Sequence, residues 1–358
     1  MTERLPYVPD VLSGFVDEAA SLWDQWWNQR QVPEPDGDYI EKLKQRLAPT
    51  LRGAQLFRQA AWESIDEALD TSWGGEYFVG TLLALHPFDL HRFKSYVDQG
   101  VQDYVTWHAL LDALLWCPDD NVKQLCTQMV RSGKPAHAAL GFCALINMDV
   151  LPERPWMALM KAAKDANNPV AIRALCEYCS PEAVPALLDM VDDMDTPEKV
   201  VVSERLIHLG VSPETLPIGP LVFEVGPYRD RMLKAVFQYL GRESADQLIE
   251  ILQDHPEPER SCLIAVGAAK REDMLSWVVQ CMKILELRRI AGWALEQILG
   301  IDLMEKGWLD HAVELDENWL SGSRDSELNW PDINAIAAWL QTADQGIEHS
   351  ESKIRVSL

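Results

Sequence analysis

The stretch PAHAALGFCA, residues 135–144, decides how this chain is read, because its pattern returns as PERSCLIAVG at residues 258–267. Ala139, Leu140, Cys143 and Ala144 follow Pro135 at the same offsets at which Cys262, Leu263, Val266 and Gly267 follow Pro258. Apolar residues at those offsets share one face of a helix. Proline suits the first turn, where its missing N–H loses no partner and its fixed φ is already helical. The ladder prolines are Pro135, Pro169, Pro197, Pro227 and Pro258, in steps of 34, 28, 30 and 31 residues. After Pro227 the apolar set Met232, Leu233, Val236 and Phe237 is displaced by one. Self-similarity at such a period marks a stacked helical array, in which each unit buries its apolar face against its neighbours. The expected fold class is therefore all-α, an α-solenoid of stacked antiparallel helix pairs, with the array over residues 133–300.

Within that array a second helix returns at 156–163, 184–191, 245–252 and 274–282. Gly210 and Gly241 stand 13 and 14 residues after their prolines, where a left-handed C-terminal cap would end the first helix. Residues 212–228 depart from the pattern, with Pro213, Pro217, Pro220 and Pro227 beside Gly219 and Gly226. That many breakers leave little room for a full second helix, so this unit is either drift in the array or a functional bulge. A final helix, 287–299, ends at Gly300.

Upstream, residues 38–132 read as divergent helical pairs, with helices at 39–47, 51–69, 76–85, 90–97, 104–116 and 122–130. Pro49, the 72–75 turn, Pro87, Gly100 and Pro118 are the expected breaks. No segment sustains period-two alternation, so strands are not expected. Residues 1–37 hold a Trp-rich capping helix at 11–30, in which Trp23, Trp26 and Trp27 either cover the open end of the array or anchor a partner. Residues 301–345 form an acidic cap, with nine acids between Asp302 and Asp332 against Lys306 and Arg324, interleaved with Trp308, Trp319 and Trp330. Residues 346–358 read as a frayed tail.

Composition narrows the function classes. Thirty-two basic residues against 56 acidic ones give the 358-residue chain a formal charge of -24. Nucleic acid and anionic membranes are disfavoured as partners, and a basic partner is attracted. The N-terminus lacks the charged and apolar regions of a signal peptide, and no run of about 18 apolar residues occurs. A cytoplasmic protein is expected, and the seven cysteines, an odd number in apolar helical patterns, suit buried thiols better than a disulfide framework.

DEAASLW (17–23), AGWALEQILGIDL (291–303) and the acidic region ending in NWPD (329–332) carry a resemblance. With the helix pairs, they make the chain similar to an uncharacterised bacterial family of HEAT-like repeat proteins often encoded near type VI secretion genes. The resemblance implies a role around effectors, their adaptors or immunity, and it brings no catalytic residues to carry over.

The residues themselves suggest no chemistry strongly. Cys176 and Cys179 form a C-x-x-C late in a helix, away from the strand-to-helix setting of redox motifs, and read as core. Pro87 separates His86 from His91 and prevents metal-ligand spacing on one helical face. His108, His137 and His208 lie singly in helices and read as packed or surface residues, and Arg288 with Arg289 as surface pairing partners. No phosphate-loop, dinucleotide or nucleophile-elbow motif occurs. No cofactor, metal or catalytic residue is expected. The expected function is a non-enzymatic protein-binding scaffold, an adaptor or chaperone associated with type VI secretion. The alternatives are an immunity protein that neutralises a basic toxin and an enzyme of the lyase type on the same scaffold. Partner contacts are expected at Trp23, Trp26, Trp27, Trp308, Glu314, Asp316, Glu317 and Trp319.

Overall fold

The computed structural model describes residues 9–31, 36–69, 74–152, 155–310, 325 and 328–340, with side chains from residue 14 onward. Among the described residues the protein is all-α, with eighteen named α-helices, no strand and one isolated antiparallel bridge between Leu309 and Pro331. The chain divides into two compact units, Met1–Ala186 and Leu187–Leu358, and the division falls inside the array expected at 133–300.

The first unit contains α1 (Pro9–Gln31), α2 (Gly37–Leu56), α3 (Arg58–Ala68), α4 (Gly74–Leu85), α5 (Leu90–Gly100), α6 (Tyr104–Trp116), α7 (Asp120–Val130), α8 (Pro135–Asn147), α9 (Trp156–Asp165) and α10 (Pro169–Glu177). Alternate helices α4, α6, α8 and α10 pack side by side as one layer, and α5, α7 and α9 pack against them as a second. The composition of each layer follows its place. In α6 every residue from Thr106 to Leu114 is buried, and α8 is buried from Ala138 to Leu145. By contrast α5 buries only Phe93, Tyr96, Val97 and Gly100 on one stripe. A helix apolar all round needs cover on several sides, whereas an amphipathic one needs it on one. α1 packs against α2, α3 and α4.

In the second unit α11 (Val184–Val191) spans the division, and α12 (Thr196–His208), α13 (Gly219–Phe223), α14 (Arg229–Tyr239), α15 (Arg242–Leu252), α16 (Pro258–Ala268), α17 (Leu275–Cys281) and α18 (Arg288–Leu299) follow. Here α12, α14, α16 and α18 are the side-by-side row, with α13, α15 and α17 packed on it.

Pro135, Pro169, Pro197 and Pro258 all stand in the first turn of their helices. Pro227 does not: α14 begins at Arg229, which accounts for the apolar set after it being displaced. Gly210 has φ +90° and closes α12, with its N–H bonded to Ile207 O at 2.9 Å and Val211 N–H to Leu206 O at 3.0 Å. Gly241 corrects the matching expectation, since at φ -64° it is the N-cap of α15. Pro49 likewise lies inside α2, and the chain breaks at Phe57 instead.

The same left-handed closure recurs at Phe88, Asp149, Gly210 and Lys270 in steps of 61, 61 and 60 residues, and outside that spacing at Asn167 and Gly300, which close α9 and α18. After Phe88, Asp149 and Lys270, as after Gly210, the next N–H reaches back five residues: Asp89 to Ala84 O at 2.8 Å, Val150 to Leu145 O at 2.9 Å, and Arg271 to Val266 O at 3.1 Å. A register of about 60 residues, one such closure for every second helix pair, therefore begins at α4, within the region that reads as divergent. Glycine fills it only at Gly210; at Phe88, Asp149 and Lys270 an L-residue at positive φ costs about 1–2 kcal/mol that the surrounding packing must offset.

The proline-rich segment packs into its unit. Leu216, Ile218 and Val222 are buried around the single-turn α13. Arg229, 1% exposed, donates from Nε to Val222 O at 3.0 Å and from Nη1 to Pro256 O at 2.6 Å. Two further arginines hold the cap. Arg260 donates to both oxygens of Asp325 at 2.7 Å while also pairing with Asp230. Arg289 donates to the Asp325 carbonyl at 2.6 Å and lies over the Trp330 ring. Arg289 is buried, which corrects its reading as a surface partner; Arg288 instead reaches Met282 O and Asp310.

Candidate functional site

Trp23, Trp26 and Trp27 fall on one side of α1 because their spacing spans one helical turn. The structure buries all three, Trp23 completely and the others to 9% and 8% exposure. Trp23 stacks on Trp27 and Phe78, and Trp26 meets Phe78 and Trp116 edge-on. This corrects the expectation of an exposed aromatic anchor: their apolar area is spent on α4 and α6. Trp308 packs on Trp339 within the cap, at 5.3 Å between ring centroids. Glu314, Asp316, Glu317 and Trp319 lie outside the described residues.

The close approach of α1 to α4 depends on Gly75. A Cβ there would meet Ala20 O at 2.3 Å, and the Gly75 N–H donates to Asp24 Oδ1 at 3.1 Å. Burial, then the charge of Glu76, pushes the Asp24 carboxyl up to about 6 against that hydrogen bond.

Toward α6 the polar contact is Asp112. Its carboxylate accepts from Trp23 Nε1 at 2.9 Å, from Arg30 Nη1 at 3.1 Å and from Arg30 Nη2 at 2.5 Å. Arg30 also lies over Trp26, 4.4 Å from the ring centroid. Burial pushes the Asp112 carboxyl up, and the Arg30 hydrogen bonds pull it down. Removing either partner would strand a buried or half-buried charge, which is why such pairs are costly to break.

Beside this pair a cleft of about 320 Å³ opens, walled by Trp27, Tyr104 and Tyr178 with Arg30, His108, Asp112, Asn147 and Glu177. Three helices, α1, α8 and α10, end there, and α6 runs along it from Tyr104 in its first turn to Leu115 in its last. Gln31, Leu115, Asn147 and Glu177 are lining residues in the last turns of α1, α6, α8 and α10. His108 sits at the base, 8% exposed, its ring 4.7 Å from Trp27, 4.5 Å from Tyr104 and 5.0 Å from Trp107. Burial, then the charges of Arg30 and Arg173, lowers its pKa to about 3, so the imidazole is neutral at pH 7. Its Nε2 is 3.2 Å from Glu177 Oε2, yet it makes no hydrogen bond, because proximity alone does not supply the angle. Burial likewise raises the Tyr178 hydroxyl to about 12, against a hydrogen bond with Asn147. Arg173 lies over the Tyr104 ring at 3.3 Å.

A second, larger groove of about 480 Å³ in the other unit gathers Arg242, Lys270 and Arg271 beside Asp273. Its arginines are already matched by carboxylates, with Arg271 paired to Asp273 and Asp246 and Arg242 to Asp273. Cys176 and Cys179 are both buried. Among the described residues no group of three or more His, Cys, Asp or Glu could hold a metal ion, and no helix is long and apolar enough to cross a membrane. Comparison of the chain with protein-family models, curated proteins and solved structures finds no match.

The site residues missed by sequence reasoning are Arg30, Tyr104, His108, Asp112, Glu177 and Tyr178. They come from α1, α6 and the C-terminal end of α10, stretches far apart in the linear chain. One signal existed: Asp112 and His108 both interrupt an otherwise apolar helix, where an ionisable group is rare unless it is paired.

Proposed function

We propose that this protein is a non-enzymatic scaffold that binds another protein, acting as an adaptor or chaperone associated with bacterial type VI secretion. The observation that supports binding is the repeat itself: Pro135, Pro169, Pro197 and Pro258 open α8, α10, α12 and α16, and left-handed closures return about every 60 residues at Phe88, Asp149, Gly210 and Lys270. Repeats of that kind spend their apolar faces on their neighbours and present rows of equivalent surface positions to a partner. The link to secretion rests on the resemblance of the 17–23, 291–303 and 329–332 motifs. The test is co-expression with the product of the adjacent gene. A stable complex, together with loss of that product's secretion when this gene is deleted, is the expected result.

The charge of -24 favours a second reading, an immunity protein for a basic toxin. Protection of cells from the co-expressed product without any dependence on secretion would replace the adaptor role with this one. A protein that forms no complex with any adjacent product would remove both.

A further inference from the structure

We infer that the cleft between α1, α6, α8 and α10 is a recognition pocket for a cationic nitrogen group, the side chain of an arginine or lysine presented by a basic protein partner. The occupant rests on the protein-binding reading above, but the chemistry of the pocket does not. Its first support is the field of the fold. The last carbonyls of a helix carry partial negative charge, and cations are stabilised within its last turn. α8, α10 and α1 end at the cleft, where Asn147, Glu177 and Gln31 line it in their last turns, while α6 lies along it from Tyr104 to Leu115 and adds no net end charge.

The second support is His108. It is more than nine-tenths buried, its Nε2 makes no hydrogen bond, and it lines the cavity. A neutral imidazole with its proton on Nδ1 presents Nε2 as an acceptor. The Glu177 carboxylate, 3.2 Å away, has several lone-pair directions and can accept a further donor while keeping those it already has. Two acceptors side by side suit a group that carries several N–H donors, such as a guanidinium.

The cations already present leave room for this. Arg30 is matched by Asp112, and Arg173 rests on Tyr104, which also demonstrates that this wall accepts a guanidinium. An incoming anion would meet Arg30 already matched by Asp112 and would face Glu177 and the last turns of α1, α8 and α10.

The test is calorimetric titration of the full chain with blocked Gly-Arg-Gly, blocked Gly-Glu-Gly and ethylguanidinium. Saturable binding of the arginine peptide is expected, at least tenfold tighter than ethylguanidinium, with a shift of the His108 imidazole resonances on saturation. Glu177→Gln, on a partly exposed side chain, should weaken it tenfold or more with unchanged circular dichroism. His108→Phe, which removes the acceptor and keeps a ring, should weaken it too. Equal affinity for ethylguanidinium would overturn the assignment to a protein side chain. Preference for the glutamate peptide, no binding, or binding indifferent to Glu177→Gln would overturn the cation pocket. Because these probes need no partner, a failed titration beside an intact partner complex sinks the pocket alone, whereas a successful titration with no partner complex sinks the scaffold reading.

Discussion

Asp112 shows how one residue ties an element to its unit. It accepts from the Trp23 indole and from both terminal nitrogens of Arg30, at 6% side-chain exposure. Asp112→Ala would leave an indole N–H and a guanidinium without their acceptor, and a loss of about 3 kcal/mol in urea unfolding is expected. His108 carries the clearest pH signature. Its pKa falls from an ordinary 6.5 to about 3 on folding, so the unfolded chain binds the proton between those values and the folded chain does not. Its contribution is therefore fully present above pH 6.5 and is lost as pH falls toward 3. Urea midpoints at pH 7 and pH 4.5 should fall further for the native chain than for His108→Phe. Asp24 works in the opposite sense, since its carboxyl is raised to about 6 and its contribution is lost as pH rises through that value. Asp24→Asn should therefore make the acid-side loss of the native chain steeper.

At the scale of the element, α1 is fixed by a short approach to α4. Gly75→Ala would place a methyl 2.3 Å from Ala20 O, a backbone atom that cannot rotate aside. The helices must separate, which exposes part of the Trp23, Trp26 and Trp27 cluster. Overpacking of this kind costs about 1–3 kcal/mol or more, and a red shift in tryptophan emission with a lower thermal midpoint is the expected observation. The helices themselves were largely legible. Four of five ladder prolines open a helix, because a fixed φ and a missing N–H act locally. Gly241 was misread because glycine is tolerated at an N-cap as well as at a left-handed C-terminus, and only the backbone angle separates them. Pro49 did not break α2, which carries Leu43, Leu47, Leu51 and Ala54 into the core on both sides of it.

For the molecule as a whole, the charge of -24 sets how a partner would arrive. If the partner is basic, association should slow as salt rises, because charges more than about 8–10 Å apart are screened near physiological ionic strength. Stopped-flow association at 50 and 300 mM salt should show a clear fall in the on-rate with a smaller change in the off-rate. An on-rate indifferent to salt would mean that the net charge plays no part in encounter.

The sequence alone determined that the described chain is helical, where most helices begin, and that they repeat at about 30 residues. Those features follow from local sterics and from the spacing of apolar residues along one face. Tertiary structure decided the rest. It turned the tryptophans of α1 inward, buried Arg229, Arg260 and Arg289 against carbonyls and carboxylates, and brought the ends of α1, α8 and α10 to the cleft that His108 of α6 lines. No periodicity encodes those juxtapositions, because the energy of a buried polar group depends on which distant residue reaches it once the helices have packed.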